Sequence, residues 1–118
     1  MKLNKQEIDT IMFKVIRALK IVDDGSLIKV ILYGSCARGD NEQFSDVDIM
    51  CLVDGEISAQ KYNRIFIEDI GQIANEFCVL IPCHFVSQER YNTYMECTSY
   101  FKNIEKEGIC YYDKPTKG

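Results

Sequence analysis

The sequence predicts an α/β (α+β) fold in which a small mixed β-sheet is flanked by helices. Two long segments, 5–22 and 58–77, place their apolar residues at helical spacing. Three short runs, 27–33, 47–53 and 79–86, are apolar and rich in branched residues, which is typical of buried strands. With a further helix after the last strand, the order is α-β-β-α-β-α, and this order indicates a sheet with helices packed against it.

The first half of the chain contains a helix and two strands. The helix over 5–22 has its apolar side chains at Ile8, Ile11, Met12, Val15, Ile16, Leu19 and Val22. The turn residues 23–26 end this helix, and Gly34 and Ser35 end the strand that follows. Residues 36–44 form a polar turn with room for one helical turn before the second strand.

The second half alternates in the same way. The helix over 58–77 has one apolar face, formed by Tyr62, Ile65, Phe66, Ile70, Ile73, Ala74 and Phe77. Pro82 lies inside the third predicted strand and favours an edge position or a bulge, because proline cannot donate to a sheet. Ser87 suits an N-cap, and the helix over 88–107 breaks near Thr98. Gly108 suits its C-cap, and 109–112 is a last extended piece.

Length and composition limit the classes of protein to consider. The 118 residues suit one domain, 1–118, and 47% are apolar, as in globular proteins. No apolar run approaches the ~20 residues of a membrane span, and the first residues lack the apolar block of a signal peptide. We therefore expect a cytoplasmic protein without a membrane partner. The net charge of −4 and the absence of a Lys/Arg cluster make nucleic acid an unfavoured partner, whereas a small molecule or a protein fits better.

The six cysteines do not form a pattern that binds zinc. No pair has CxxC spacing, and the single histidine, His84, is adjacent to Cys83. Neighbouring residues on a strand point to opposite faces, so these two side chains are poorly placed to share one ion. Because most of the cysteines lie in apolar runs, we expect them to be small core residues in a reducing compartment.

Two short segments provide candidate functional residues. Asp46 and Asp48 open the second strand. Residues two apart on a strand point to the same face, and their Cα atoms are about 6.5–7 Å apart. Carboxylates placed in this way repel each other unless a cation lies between them, although a solvated strand end would look the same. Gly34 and Ser35 follow the first strand, where free N–H groups and a hydroxyl suit a phosphate, or where the chain simply turns. Arg38 is a candidate phosphate contact or a solvated charge.

Together these segments resemble a known family. Gly34-Ser35, followed after ten residues by Asp46-Val47-Asp48, is similar to the motif of the polymerase-beta-type nucleotidyltransferase superfamily. The fuller string, Tyr33-Gly34-Ser35-Cys36-Ala37-Arg38-Gly39-Asp40 with Ser45-Asp46-Val47-Asp48-Ile49, resembles its minimal nucleotidyltransferase (MNT) family. The close match covers residues 30–54, and the segment 100–108 also looks typical of the group.

The resemblance implies a fold, an activity and partners. The fold would be that of polymerase-beta-type nucleotidyltransferases. Asp46 and Asp48 would be catalytic and would hold one or two Mg²⁺ ions, while Gly34, Ser35 and Arg38 would bind the triphosphate of ATP. The reaction would transfer a nucleoside monophosphate to a hydroxyl and release pyrophosphate. Members of the group often act as antitoxins beside a small helical HEPN-type toxin, and some adenylylate a tyrosine of that partner.

One departure from the family pattern bears on activity. The superfamily normally adds a third carboxylate from a neighbouring strand, and Cys78 stands where that aspartate is expected. A thiol is a poor magnesium ligand, whereas Glu76, with the same parity, could be the third metal ligand or only an exposed residue at a helix end. Without that ligand, the alternative is a non-catalytic antitoxin module that binds a nucleotide or a partner.

The C-terminal region is unusually aromatic. We expect it to contact a partner protein or a second copy of the chain, since aromatic residues and methionine are enriched at interfaces. The alternative is that these side chains pack on the sheet. They are Tyr91, Tyr94, Met95, Tyr100, Phe101, Tyr111 and Tyr112.

Overall fold

The computed structural model describes residues 2–43, 45–65 and 67–115. Within these ranges one four-stranded sheet has the order β3-β2-β1-β4 and is built from β1 (Leu27–Tyr33), β2 (Asp48–Val53), β3 (Cys83–Ser87) and β4 (Ile109–Asp113). Strand β1 pairs antiparallel with β2 and β4, whereas β2 and β3 run parallel. The predicted mixed sheet is therefore confirmed. Phe44 and Phe66, which were included in the predicted elements, lie outside the described residues.

Helices cover both faces of the sheet. They are α1 (Lys5–Val22), α2 (Ser35–Arg38), α3 (Glu56–Arg64), α4 (Glu68–Phe77), α5 (Gln88–Cys97) and α6 (Ser99–Glu107). Alternate residues of β1 and β2, including Leu32 and Ile49, form a core with α1, α3 and α4. The residues between them, including Tyr33 and Met50, pack against Tyr91 of α5 and Ile104 of α6. Within the described ranges, no helix is long and apolar enough to cross a membrane.

Helix α1 has the predicted bounds because local side chains define both of its ends. The Asn4 side chain accepts a hydrogen bond from the Glu7 backbone N–H, and the Glu7 carboxylate accepts one from the Asn4 N–H, which forms a capping box. At the other end, the Asp23 carboxylate accepts hydrogen bonds from the N–H groups of Gly25 and Leu27. These contacts turn the chain directly into β1.

The single helix predicted over 58–77 is wrong, because the structure has two helices there. Ile65 and Ile67 both have extended backbone angles, φ −85°, ψ 125° and φ −92°, ψ 100°. Branched side chains lose rotamer freedom in a helix, so this sequence is a weak point in a helical run. The apolar pattern continues across the break because Tyr62 of α3 and Ile73 of α4 pack into the same core.

Strand β3 begins four residues later than the prediction of 79–86. The residues before it still contact the sheet, since the Leu80 and Pro82 carbonyls accept hydrogen bonds from the N–H groups of Val47 and Ile49 at 2.9 and 3.0 Å. As Pro82 indicated, β3 lies at a sheet edge. Cys78 is not on a strand; it is the exposed left-handed C-cap of α4, with φ 55°. Its predicted place beside the aspartates is therefore wrong.

The C-terminal helices break where the sequence predicts. Ser87 caps α5 and accepts a hydrogen bond from the Arg90 N–H, while Thr98 caps α6 and accepts one from the Phe101 N–H. Gly108 is the C-cap of α6, with extended angles, and leads straight into β4. A Cβ on Gly108 would lie 2.5 Å from the Ile104 carbonyl oxygen and 2.6 Å from Cγ2 of Ile31, so the chain passes too close to β1 for any side chain.

The cysteines are less buried than predicted. Cys36 and Cys51 are buried, and Cys83 is partly buried. Three others, Cys78, Cys97 and Cys110, are exposed, so the expectation of core residues is wrong for them. Each of these three occupies a helix end or an edge strand, where an apolar run in the sequence does not correspond to a buried position.

Candidate active site at the end of strands β1 and β2

Gly34 and Asp48 are in direct contact where β1 ends and β2 begins. Asp48 is the cross-strand partner of Tyr33, the last residue of β1, so its carboxylate lies beside the residue that follows the strand, Gly34. Gly34 has φ 77° and ψ −157°, a conformation that is essentially restricted to glycine. A Cβ built on Gly34 would lie 2.6 Å from Oδ2 of Asp48. This position therefore requires glycine for two independent reasons.

Asp46 and Asp48 face the same side of the sheet. Val47 between them is fully buried in the core under α1, and Ile49 follows it into the same core. Because side chains alternate along an extended segment, both carboxylates point to the opposite face. Asp46 is exposed, whereas Asp48 is partly buried. The structure thus brings together the two aspartates that the sequence identified as candidates.

The electrostatics of this carboxylate pair favour a cation. Burial raises the pKa of Asp48, and the negative charge of Asp46 raises it further. His84 and Arg38 act in the opposite direction and lower the pKa of Asp48, but they do not offset the rise. A divalent ion between the carboxylates would relieve their repulsion, and magnesium commonly binds one or two carboxylates together with substrate phosphate oxygens.

The turn after Gly34 is fastened to the segment that carries the aspartates. The Gly34 carbonyl accepts hydrogen bonds from the N–H groups of Ala37 and Arg38, both at 3.1 Å, which closes the single turn of α2. The Cys36 thiol donates to the Asp46 carbonyl at 3.5 Å. Ser35 opens this turn and is partly exposed. Gly34, Ser35 and the two aspartates are therefore held as one unit.

Arg38 lies at the rim of this unit. Its guanidinium forms ion pairs with Asp40 at 3.2 Å and with Glu107 of α6 at 3.6 Å. The side chain is exposed, and its positive charge lowers the pKa of Asp48. Arg38 is therefore close enough to the carboxylates to interact with an anion bound beside them.

The structure does not bring Glu76 to the aspartates, and the expectation of a third metal carboxylate from Glu76 is corrected. Glu76 lies on α4, where it forms an ion pair with Lys14 of α1 at 3.0 Å. This contact belongs to the helix layer on the opposite face of the sheet. Among the described residues, no group of three His, Cys, Asp or Glu side chains is close enough together to hold a metal ion.

His84 is the site residue that the sequence did not identify. It pairs in parallel register with Met50, two residues after Asp48, so it points to the same face as Asp48. His84 is exposed, and its charge lowers the pKa of Asp48. The neighbouring strand thus places a histidine on the face that carries the aspartates. The sequence could not identify this neighbour, because the register between β2 and β3 decides which residue of β3 lies beside β2.

Comparisons with known proteins identify a family for this chain. Residues 15–111 match the family described as "Nucleotidyltransferase domain". A Methanocaldococcus jannaschii protein, provisionally named a protein adenylyltransferase, is 30% identical over 97 residues, which cover 82% of this chain and 90% of that protein. A provisionally assigned nucleotidyltransferase from Sulfolobus solfataricus aligns over 95% of this chain and 91% of its own, with 18% identity and a TM-score of 0.43, a superposition too loose to inform the fold. On the family match and the first relative, this chain belongs to the nucleotidyltransferase domain family.

Proposed function

We propose that this protein is a metal-dependent nucleotidyltransferase that transfers AMP from ATP to a hydroxyl of a partner protein. The observation that supports this most strongly is the placement of the Asp48 carboxylate directly against Gly34, with Asp46 on the same face. A turn that no side chain fills thus lies beside two carboxylates that repel each other. This combination suits a metal–triphosphate complex better than either component alone.

The residues present fit magnesium and a triphosphate. Asp46 and Asp48 would hold Mg²⁺, and a bound Mg²⁺ would stabilise negative charge on the attacking and leaving oxygens. Gly34 lets the Asp48 carboxylate lie directly against the turn, and Ser35 offers a hydroxyl to a phosphate bound beside it. Arg38 adds positive charge at the rim, after exchanging at least one of its carboxylate partners, Asp40 or Glu107, for a phosphate oxygen.

The acceptor and the biological setting are further parts of this proposal. The name of the M. jannaschii relative supports a protein as the acceptor. The resemblance to minimal nucleotidyltransferases supports a small helical HEPN-type toxin as the partner, with this chain as its antitoxin. The net charge of −4 also favours a protein over a nucleic acid. A homo-oligomer formed through the C-terminal aromatic residues stays a prediction.

Calorimetric titration with ATP, with and without Mg²⁺, tests the site. We expect wild-type protein to bind ATP only with Mg²⁺, and Asp46→Asn or Asp48→Asn to weaken binding by at least about 10-fold, or about 1.4 kcal/mol. Glu76→Gln is the matched control, since it removes a carboxylate charge from another surface. Metal-independent binding, or equal binding by both aspartate variants and the wild type, would contradict the assignment.

A second candidate function is a non-catalytic module that binds nucleotide and partner without transfer. It is favoured by the absence of a third carboxylate beside Asp46 and Asp48 among the described residues, and by His84 on the adjacent strand. The variant His84→Asp separates the two functions. If the wild type binds Mg²⁺-ATP without transferring AMP, while His84→Asp transfers it to the partner, the natural protein is a binding module. Transfer by the wild type excludes that reading.

A further inference from the structure

A cleft of about 200 Å³ opens beside Gly34, on the side facing α6. Its lining includes Tyr33, Gly34 and Arg38 from the site and Tyr100 and Asn103 from α6. Tyr100 is 51% exposed, and its hydroxyl forms a hydrogen bond of 2.8 Å with the Tyr33 hydroxyl. The two rings meet edge to face, with centroids 6.0 Å apart. Tyr100 is therefore both held in place and open to solvent at the edge of the candidate active site.

The tyrosine pair reaches toward the aspartates. Tyr33 is the cross-strand partner of Asp48, and the charge of Asp48 contributes to the raised pKa of Tyr33, although burial is the main cause. The Tyr100 hydroxyl is thus one hydrogen bond away from a side chain next to Asp48. An acceptor hydroxyl in nucleotidyl transfer must reach the same neighbourhood, because the reacting phosphate lies where the metal is held.

Three of the other six tyrosines are too buried to accept a nucleotidyl group. Tyr33, Tyr62 and Tyr91 are each at most 9% exposed. The hydroxyls of Tyr62 and Tyr91 also donate to carboxylates, those of Asp23 and Glu105. The Tyr62 and Tyr91 phenols are thus fixed inside the protein, whereas Tyr33 lines the cleft but is buried.

The remaining three tyrosines lie elsewhere on the surface. Tyr111 and Tyr112 of β4 pack against the core under α1, on the face of the sheet opposite to Asp48. Tyr94 lines a different cleft together with Ser87. Ser87 pairs with the last residue of β2, whereas Asp48 is the first residue of that strand. Among the seven tyrosines of the chain, Tyr100 alone combines exposure with a place beside Gly34.

We propose that Tyr100 is an acceptor of the nucleotidyl group, so that the protein adenylylates a tyrosine of its own chain. This inference rests on the proposed function. The phenolic oxygen of Tyr100 attacks the α-phosphorus of ATP and forms a new P–O bond. The bond between that phosphorus and the bridging oxygen breaks, and pyrophosphate leaves with the electron pair. The phenolic proton passes to water, to which the exposed side chain has access, and no oxidation or reduction takes place.

Intact-mass spectrometry of the full chain incubated with Mg²⁺ and ATP tests the inference. We expect the wild type to gain the mass of one adenylyl group, and Tyr100→Phe and Asp48→Asn to gain none. Tyr94→Phe is the matched control and should keep the modification, because Tyr94 is the other exposed tyrosine of the α5–α6 region. Trypsin would release residues 91–102 as one peptide, and its fragmentation would assign the adduct to one of its three tyrosines.

Two further measurements separate this inference from the function on which it rests. Calorimetry should show that Tyr100→Phe still binds Mg²⁺-ATP as the wild type does. Dilution should leave the modified fraction unchanged at a given time, because transfer within one chain is first order. An adduct on another residue, a rate that falls on dilution, or nucleotide binding without any adduct would overturn the inference and leave the proposed function standing. Failure of the wild type to bind Mg²⁺-ATP would overturn both.

Discussion

Oδ2 of Asp48 lies 2.6 Å from the point where Gly34 would carry a Cβ. This contact joins the end of β1 to the start of β2 and sets the distance between the turn and the carboxylates. Gly34 also has a positive φ of 77°, so the backbone itself excludes other residues. Gly39 also has a positive φ, of 82°, but it lies in the ordinary left-handed region with ψ 8° and has nothing within 4 Å of its Cβ position.

Gly34→Ala should therefore be more damaging than Gly39→Ala. Both introduce backbone strain of about 1–3 kcal/mol, but the Gly34 conformation is the one that is essentially restricted to glycine, and only Gly34→Ala also pushes against the Asp48 carboxylate. Gly55→Ala, at an extended and open position, should be nearly neutral and serves as the control. Urea denaturation should rank the free energies of unfolding in this order. Equal losses for Gly34→Ala and Gly39→Ala would contradict the additional cost expected at Gly34.

Asp48→Asn should stabilise the fold near neutral pH while it weakens metal binding. Burial and Asp46 raise the folded-state pKa of Asp48, so folding favours its protonated form. The stability contributed by Asp48 is therefore present at acid pH and is lost as pH rises from the ordinary aspartate pKa through the raised one. The asparagine variant does not titrate, so its advantage in unfolding free energy should appear across that window and persist to pH 7. Denaturation curves measured from pH 3 to 7 without metal would check this, and a less stable variant at pH 7 would contradict it.

Much of the fold could be predicted because its signals are local. The helical spacing of α1 lies within 18 consecutive residues that its caps directly flank, and the apolar runs of β1 and β2 end at glycine or aspartate. The break at Ile65 could not be predicted in this way, because an apolar pattern reports which face is buried and not whether the backbone stays helical. The break at Thr98 could be predicted, because a residue whose side chain caps a helix is visible in the sequence.

Thr98→Ala should loosen the start of α6, the helix that carries Tyr100. The Thr98 hydroxyl accepts from the Phe101 N–H and also donates to the Tyr94 carbonyl, so it joins α5 to α6. Loss of an N-cap costs about 1 kcal/mol of folding stability. Thr93→Ala is the control, because its hydroxyl bonds only within α5. Thermal or urea unfolding should show a larger loss for Thr98→Ala than for Thr93→Ala.

Glu76→Gln should have little effect on stability or nucleotide binding. The ion pair with Lys14 is exposed on both sides, and such pairs contribute less than about 1 kcal/mol. Unfolding and calorimetry on the same variant would measure both quantities. A marked loss of Mg²⁺-ATP affinity would return Glu76 to the list of metal ligands.

The site could be predicted in part for the same reason as the fold. Asp46 and Asp48 lie on one face because of strand parity, which is a local property. The neighbour supplied by β3 depends on the register between β2 and β3, which pairs Met50 with His84 across more than 30 residues of chain. Sequence spacing does not encode that register, so Cys78 and Glu76 were assigned to a place that His84 occupies.

The close approach of the chain to β1 at Gly108 affects how mutational tolerance should be interpreted in this protein. Any side chain there would meet both Ile104 and Ile31, so random substitution at Gly108 should be rejected as strictly as substitution at Asp48. Gly108 nevertheless has no chemical group to contribute to a reaction. A saturation screen that scores only growth or activity would merge the two positions. A parallel screen for protein abundance in cells would separate them, because variants of Gly108 would be degraded, whereas variants of Asp48 would accumulate as folded, inactive protein.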